Sequence, residues 1–258
     1  MAERGLARSR TQAARMIAAG GVRVDGEAAL KPSARIRPDQ LIEADTSDHY
    51  VSRAAHKLNA ALDAFGIAVH SRAALDVGAS TGGFTQVLLE RGASHVIALD
   101  VGHGQLNPAI AADSRVSVVE GFNAREMDAA ALAAVAPGGD RIDLVVADLS
   151  FISLRTVLPA MVRTVGTGAE YVMLVKPQFE VGRAGIREGI VVDPGLRADA
   201  VVGVLRAAAA LGLPTAGVIA SPLPGTAGNL EYLAWFSTAT GTDPTQWSNR
   251  VMAITGSS

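Results

Sequence analysis

The chain has 258 residues, 49% hydrophobic and 19% charged, with a formal net charge of -2. That composition supports a core and excludes a disordered chain. The absence of cysteine excludes a disulfide framework, a thiolate metal site and a cysteine nucleophile. No apolar run reaches the roughly 18 residues of a membrane span, and MAERGLARSR lacks a signal-peptide core. The cytoplasm is therefore the expected compartment.

In chain order, residues 9–19 read as a short helix, capped by Ser9 or Thr11 and stopped by Gly20 and Gly21. Residues 22–24 read as a strand before a tight turn at Asp25-Gly26. AAHKLNAALDAF at 54–65 is a helix ended by Gly66. A strand at 74–78, a glycine loop at 78–83, a helix at 84–91 and a strand at 95–100 follow. Then come strands at 116–121, 142–150 and 171–177, with helices at 126–136 and 153–165 between them. This alternation predicts an α/β fold with a doubly wound, largely parallel, Rossmann-like sheet. Residues 178–195 form a glycine-rich excursion, expected to be a lid or active-site loop. A helix at 196–211 and strands at 215–221 and 230–237 complete the body, and the polar tail at 241–258 is expected to be frayed. The predicted organisation is a small head at 1–46, a linker at 47–53 and a body at 54–240.

Charge is unevenly spread. Residues 1–37 hold eight basic and three acidic residues, whereas the chain from 58 onward holds 18 acidic and 13 basic ones. A basic head on an acidic body suits docking on phosphate, although an ordinary solvated face has the same composition. Lys31, Lys57 and Lys176 are the three lysines, against twenty arginines. A lysine retained in such a chain marks a place that needs a compact ammonium able to lose its proton.

Five constellations carry chemistry. The first is Asp76-Val-Gly78-Ala79-Ser80-Thr81-Gly82-Gly83-Phe84, a glycine turn between strand and helix. It lets a ligand lie against backbone at a helix N-terminus. It lacks the Walker ending, and Ser80 stands where a dinucleotide loop has its second glycine. The loop fits a class I methyltransferase, whose ligand is a nucleoside with an amino-acid tail. The second is Asp100, with Val101 beside it, placed to accept hydrogen bonds from a ribose diol of either NAD or S-adenosylmethionine. Asn123 lies near the same crevice, as an adenine contact or as a loop cap. The third and fourth are Asp148 and Lys176, lone charges ending apolar strands at the carboxyl edge, where they serve either chemistry or a structural ion pair. The fifth is Glu231, which opens a late strand. Taken alone, Glu231 and Lys57 also suit a solvated surface.

The chain resembles the hemolysin A (TlyA) family of rRNA 2′-O-ribose methyltransferases, with a body similar to the RrmJ/FtsJ type. The resemblance lies in Val51 to Leu58, Asp76 to Phe84, Asp100 to Leu106, Asp148 to Leu154, Leu174 to Glu180, Ser221 to Gly225 and Gly228 to Glu231. It implies a class I methyltransferase domain with a small α+β RNA-binding head. The head starts late against the family pattern and is expected to be abbreviated, without its first helix. The resemblance further implies S-adenosyl-L-methionine as donor and a Lys-Asp-Lys-Glu tetrad of Lys57, Asp148, Lys176 and Glu231. Donor contacts are expected from Asp76 to Phe84, Asp100, Val101, Asn123, Asp148 and Phe151, the last as a surrounding aromatic near the methyl donor. The implied substrate is a cytidine 2′-hydroxyl in 16S, and in some species 23S, rRNA within ribosomal subunits. RNA contacts are expected from Arg4, Arg8, Arg10, Arg15, Arg23, Lys31 and Arg53. No metal is needed, and a monomer is expected. The competing readings are a non-catalytic RNA- or ribosome-binding protein, an oxidoreductase and a hemolysin-like membrane-active protein. The intact loop and tetrad oppose the first. The missing Gly-x-Gly-x-x-Gly opposes the second, and the lack of a spanning or strongly amphipathic basic segment opposes the third.

Overall fold

A computed structural model describes residues 1–7, 10–18, 21–29, 31–44, 49–135, 141–182, 185–225 and 227–257, without the side chains of residues 2, 11, 12, 15, 18, 28 and 135. The chain divides into two compact units, residues 1–50 and 51–258.

The first unit holds helix α1 (Arg10–Ala18) and strands β1 (Val22–Val24), β2 (Glu27–Ala28) and β3 (Ile42–Ala44) in the antiparallel order β2-β1-β3. So small a unit has little core, and polar clamps hold it. Asp25 takes the left-handed conformation at the β1–β2 turn, and its carboxylate accepts hydrogen bonds from Leu41 N at 2.8 Å and Gln40 Nε2 at 2.9 Å. Those bonds hold the Asp25 carboxyl below its ordinary pKa. Arg4, expected on RNA, donates to the carbonyls of Gln40 and Arg37 at 2.7 and 2.9 Å and so ties the unit internally. Arg10 sits 3.9 Å from Glu3, while Arg23 and Lys31 are exposed. Ser9, Arg8 and Gly20 lie outside the described residues, as do the side chains of Thr11 and Arg15.

The second unit is a seven-stranded sheet flanked by helices. Its elements are α2 (Ala54–Phe65), β4 (Ala73–Val77), α3 (Gly83–Glu90), β5 (His95–Leu99), α4 (Pro108–Ala111), β6 (Val116–Val119), α5 (Ala129–Val135), β7 (Leu144–Ala147), α6 (Leu154–Val165), β8 (Glu170–Val175), α7 (Pro177–Glu180), α8 (Pro194–Ala210), β9 (Thr215–Ala220), β10 (Tyr232–Phe236) and α9 (Ser248–Thr255). The strand order is β6-β5-β4-β7-β8-β10-β9. All neighbours from β6 to β8 pair in parallel, and β10 pairs antiparallel with both β8 and β9. The strands are almost wholly apolar because helices cover both faces. The order reverses between β4 and β7, which opens a crevice at the carboxyl ends of the strands.

Three local expectations need correction. The helix expected at 126–136 is a 3-10 turn at Ala124–Glu126 followed by α5, because Asn123 and Asp128 each cap a separate start. The excursion at 178–195 opens with the short helix α7 and is bridged at Arg187 and Ile190. The tail is not frayed. Asp243 and Pro244 start a 3-10 turn that runs into α9. Trp247, Val251 and Ile254 form an apolar stripe at helical spacing within a polar composition, and pack on the core. The Arg197 guanidinium donates to Thr255 O at 2.9 Å at the end of that helix. Val251→Asp would bury an unpaired carboxylate and is expected to cost about 3 kcal/mol or more, read as a lowered thermal midpoint. An unchanged midpoint would mean that α9 is detached from the core.

Candidate active site

The site is assembled on the carboxyl edge of the sheet. β4 ends in a glycine turn whose Gly78 and Ala79 N–H groups donate to Leu99 O, at 2.8 and 3.1 Å. Gly78 has φ +86°, and a Cβ there would lie 2.8 Å from the carbonyl oxygen of Asp148. Only glycine lets the turn press this closely on the end of β7. Ser80, at φ +48°, takes a glycine-like conformation, and its N–H donates to Asp100 Oδ2 at 2.8 Å. Asp100 Oδ1 accepts from Gly102 N at 2.8 Å. This carboxylate braces the turn while each oxygen keeps a free lone pair. Gly82 gives α3 no side-chain cap, so the helix start is open to an anionic group.

Asp76 is fully buried beneath the turn. Its Oδ2 accepts from Thr85 Oγ1 at 2.7 Å, and its Oδ1 has no partner. Burial pushes its carboxyl from the ordinary 3.8 up to about 7, and the charges of Asp148 and Asp100 push the same way.

Asp148 follows β7 and Lys176 follows β8. Lys176 Nζ lies 2.6 Å from Asp148 Oδ1 and donates a hydrogen bond to Ser150 Oγ at 2.8 Å. The other pair arrives from distant elements. β10 runs against its neighbours, so its first residues stand where β8 ends. Tyr232 pairs with Val175, which brings Glu231 to the same edge as Lys176. Glu231 Oε2 accepts from Lys57 Nζ at 2.5 Å, and the two residues are only 4% and 5% exposed. Lys57 is buried because α2 packs against α3, whose Gly83 lies against Ser52 and Ala55.

Two cavities meet here. A small one, about 140 Å³, is lined by Gly78, Ala79, Ser80, Thr81, Gly83 and Phe84 of the turn, together with Ser52, Ala54, Asp148, Ser150 and Lys176. A larger one, about 500 Å³, is lined by all four tetrad residues together with Arg53, Phe151, Gln178, Phe179, Asn229 and others. Ser52, Ala54, Asp148, Ser150 and Lys176 belong to both.

Several expected site residues sit elsewhere. Gly82 shapes the turn at φ +94°, whereas Asp100 and Val101 lie beyond the lining of both cavities. The Asn123 side chain accepts from Arg125 N and donates to Glu126 Oε1, which makes it a cap. Arg53 donates to the Pro224 carbonyl on the wall of the larger cavity. Phe151 lines the larger cavity from its rim. It is 92% exposed with φ +65°, because the turn into α6 throws its ring outward, 5.4 Å from the ring of Phe179. A bulky residue held there is strained.

The residues that make these turns rigid are not evident from sequence reasoning alone. The buried Glu180 carboxylate accepts from Ser153 Oγ and Leu154 N, both at 2.6 Å, and from Arg155 Nε at 3.1 Å. It thereby locks the turn after β7 to the turn after β8. Asn229 accepts from Val191 N at 3.0 Å and donates to Gly189 O at 2.8 Å, fixing the excursion as a cavity wall. A carboxylate four residues after Lys176, between Phe179 and Val181, was the one available signal for Glu180.

Comparison with known proteins gives the family. Residues 50–238 match the FtsJ-like methyltransferase family, and residues 1–42 match the S4 domain. A 16S/23S rRNA (cytidine-2′-O)-methyltransferase TlyA of Mycobacterium tuberculosis is 54% identical, covering 93% of this chain and 88% of its own length. The chain belongs to the TlyA family of FtsJ-like methyltransferases. Hemolysin A of Brachyspira hyodysenteriae is 37% identical, over 90% of this chain and 95% of its own. A solved structure from Streptococcus thermophilus, described as a hemolysin, superposes with a TM-score of 0.77 at 34% identity, over 96% of this chain and 91% of its own. Among the described residues, no helix is long and apolar enough to cross a membrane.

Two outcomes test the electrostatics. Lys57→Ala leaves a buried carboxylate unpaired and is expected to cost about 3 kcal/mol, whereas Lys57→Met with Glu231→Leu returns stability to near the wild-type level in chemical denaturation. Asp76 gives the second. Its raised folded-state pKa makes its contribution fully stabilising below about pH 4 and progressively lost as pH rises to about 7. Donor-free Asp76→Asn should therefore gain on wild type across that window, by a few kcal/mol at most, and hold a constant difference above it.

Proposed function

We propose that this chain transfers a methyl group from S-adenosyl-L-methionine to the ribose 2′-hydroxyl of a cytidine in ribosomal RNA, in the cytoplasm. One observation carries the reading: Lys176 stands on the wall shared by the glycine-turn cavity and the tetrad cavity. A donor held by the turn and an acceptor held among the tetrad would meet at that lysine.

The residues present suit the donor. The turn supplies a close backbone cradle, the open start of α3 suits a carboxylate tail, and Asp100 offers acceptors for a ribose diol. When bound, the donor supplies an electrophilic methyl on a sulfonium. The protein's task is to align a 2′-oxygen with that methyl and remove its proton. Lys176 receives the proton, and Asp148 balances the charge that results. Lys57 and Glu231 form the opposite wall and orient the ribose.

Phe151 and Phe179 offer the larger cavity a pair of aromatic faces. A base stacked on such a face gains about 1–3 kcal/mol, so these rings suit a nucleotide drawn out of its stack. The S4-type unit, with Arg23 and Lys31 exposed, would supply phosphate contacts. The M. tuberculosis relative is named for both 16S and 23S rRNA; 16S rRNA is the proposed substrate of this chain, and 23S rRNA the second to be tried.

The test is methylation of ribosomal subunits with radiolabelled donor, followed by mass mapping of the product. Expected are 2′-O-methylcytidine with wild type and loss of transfer in Lys176→Ala with RNA binding retained. Lys176→Arg should also fail, because a guanidinium stays protonated and its planar fork does not replace an amine. Near wild-type transfer by the arginine variant would overturn proton acceptance by Lys176.

A further inference from the structure

The hydrogen bond of Lys176 goes to Ser150. Its ion-pair partner, Asp148 Oδ1, is buried and accepts no hydrogen bond of good geometry despite lying 2.6 Å away. The Lys176 side chain is only 11% exposed, whereas Ser150 is an exposed residue lining both cavities. All three residues line both cavities, and Ser150 is the most exposed of them, the Asp148 side chain being 17% exposed, so a ribose entering the larger cavity can reach the serine oxygen that Lys176 holds. The hydroxyl differs from the carboxylate in one respect that matters: it accepts from an ammonium and donates to a free amine, so it keeps its bond to Lys176 in either protonation state.

We propose that Ser150 is a catalytic residue that relays the 2′-hydroxyl proton to Lys176. The inference rests on the ribose-methylation reading above. Lys176, an ammonium beside Asp148 in the resting site, first gives one proton to solvent and enters the step as an amine, with the Ser150 hydroxyl donating to it. The ribose hydroxyl donates to Ser150 Oγ. As the 2′-oxygen forms its bond to the methyl carbon, the carbon–sulfur bond breaks and its electron pair stays on sulfur. The ribose proton passes to Ser150 Oγ, and the serine's own proton passes to Lys176 Nζ. The products are a methyl ether, a thioether and an ammonium facing Asp148, and the serine is unchanged.

The test compares wild type, Ser150→Ala and Ser150→Thr in single-turnover methylation of ribosomal subunits. Ser150→Ala should lower the rate by about 10²-fold with donor and RNA affinities unchanged. Ser150→Thr should restore it, since the exposed position leaves room for a methyl group. The rate of wild type should vary with the deuterium fraction of the solvent along a curve, as expected for two protons in flight, and that of Ser150→Ala along a straight line. A second readout needs no turnover. With three lysines in the chain, isotope-labelled lysine gives few ammonium signals, and the Lys176 signal should exchange with water faster in Ser150→Ala than in wild type or Ser150→Thr. An alanine variant that transfers methyl as fast as wild type would overturn the relay, as would a threonine variant as slow as alanine. Wild type that transfers no methyl at all would overturn the ribose-methylation reading, and the relay with it.

Discussion

Two ammonium groups can occupy the head of one sheet only if each brings its own carboxylate. Lys57 and Glu231 meet at 2.5 Å, almost without solvent, and Lys176 and Asp148 meet at 2.6 Å. Desolvating four separate charges would cost far more than these attractions return, so the pairs must form together with the packing around them. Much of the architecture serves that end. α2 lies on the glycine of α3 to bury Lys57, and β10 runs backward to deliver Glu231. Gly225 lies where a Cβ would meet Glu231 Oε1 at 2.5 Å, so the loop before β10 closes directly over the carboxylate.

Glu180 and Asn229 extend this rigidity outward. Glu180 joins the turns that follow β7 and β8, which between them carry Asp148, Ser150, Phe151, Lys176 and Phe179. Asn229 joins the excursion to the loop that leads into Glu231. The larger cavity is therefore walled by segments that cannot move independently. Its floor is charged and its rim aromatic, a combination suited to a sugar below and a base above.

The parts of the site legible in the sequence were those written locally. Asp148 and Lys176 stand out because each ends a run of apolar strand residues, and the glycine turn announces itself between a strand and a helix. Lys57 and Glu231 do not stand out. They are 174 residues apart, and nothing in either neighbourhood says that they meet; only the family resemblance joined them. The sequence marked Phe151 as an aromatic near the site but gave no sign of its exposure, which comes from a left-handed backbone that turns the ring outward on the cavity rim. The tail misled for a compositional reason. Three apolar positions among polar ones are enough for one short helix, but they do not raise the average. Asn123 was open to two readings, and its cap bonds show the plainer one.

The position of β10 also has a consequence for how the molecule is made. It follows β9 in the chain yet lies between β8 and β9, so the edge of β8 is covered by a strand that comes later in sequence than the one beyond it. Until it inserts, β8 presents unpaired backbone to solvent and Lys57 has no counter-ion. Insertion of β10 therefore closes the sheet and brings Glu231 to Lys57 in the same long-range event. With β10 not inserted, β8 keeps an apolar edge open to pairing with other chains.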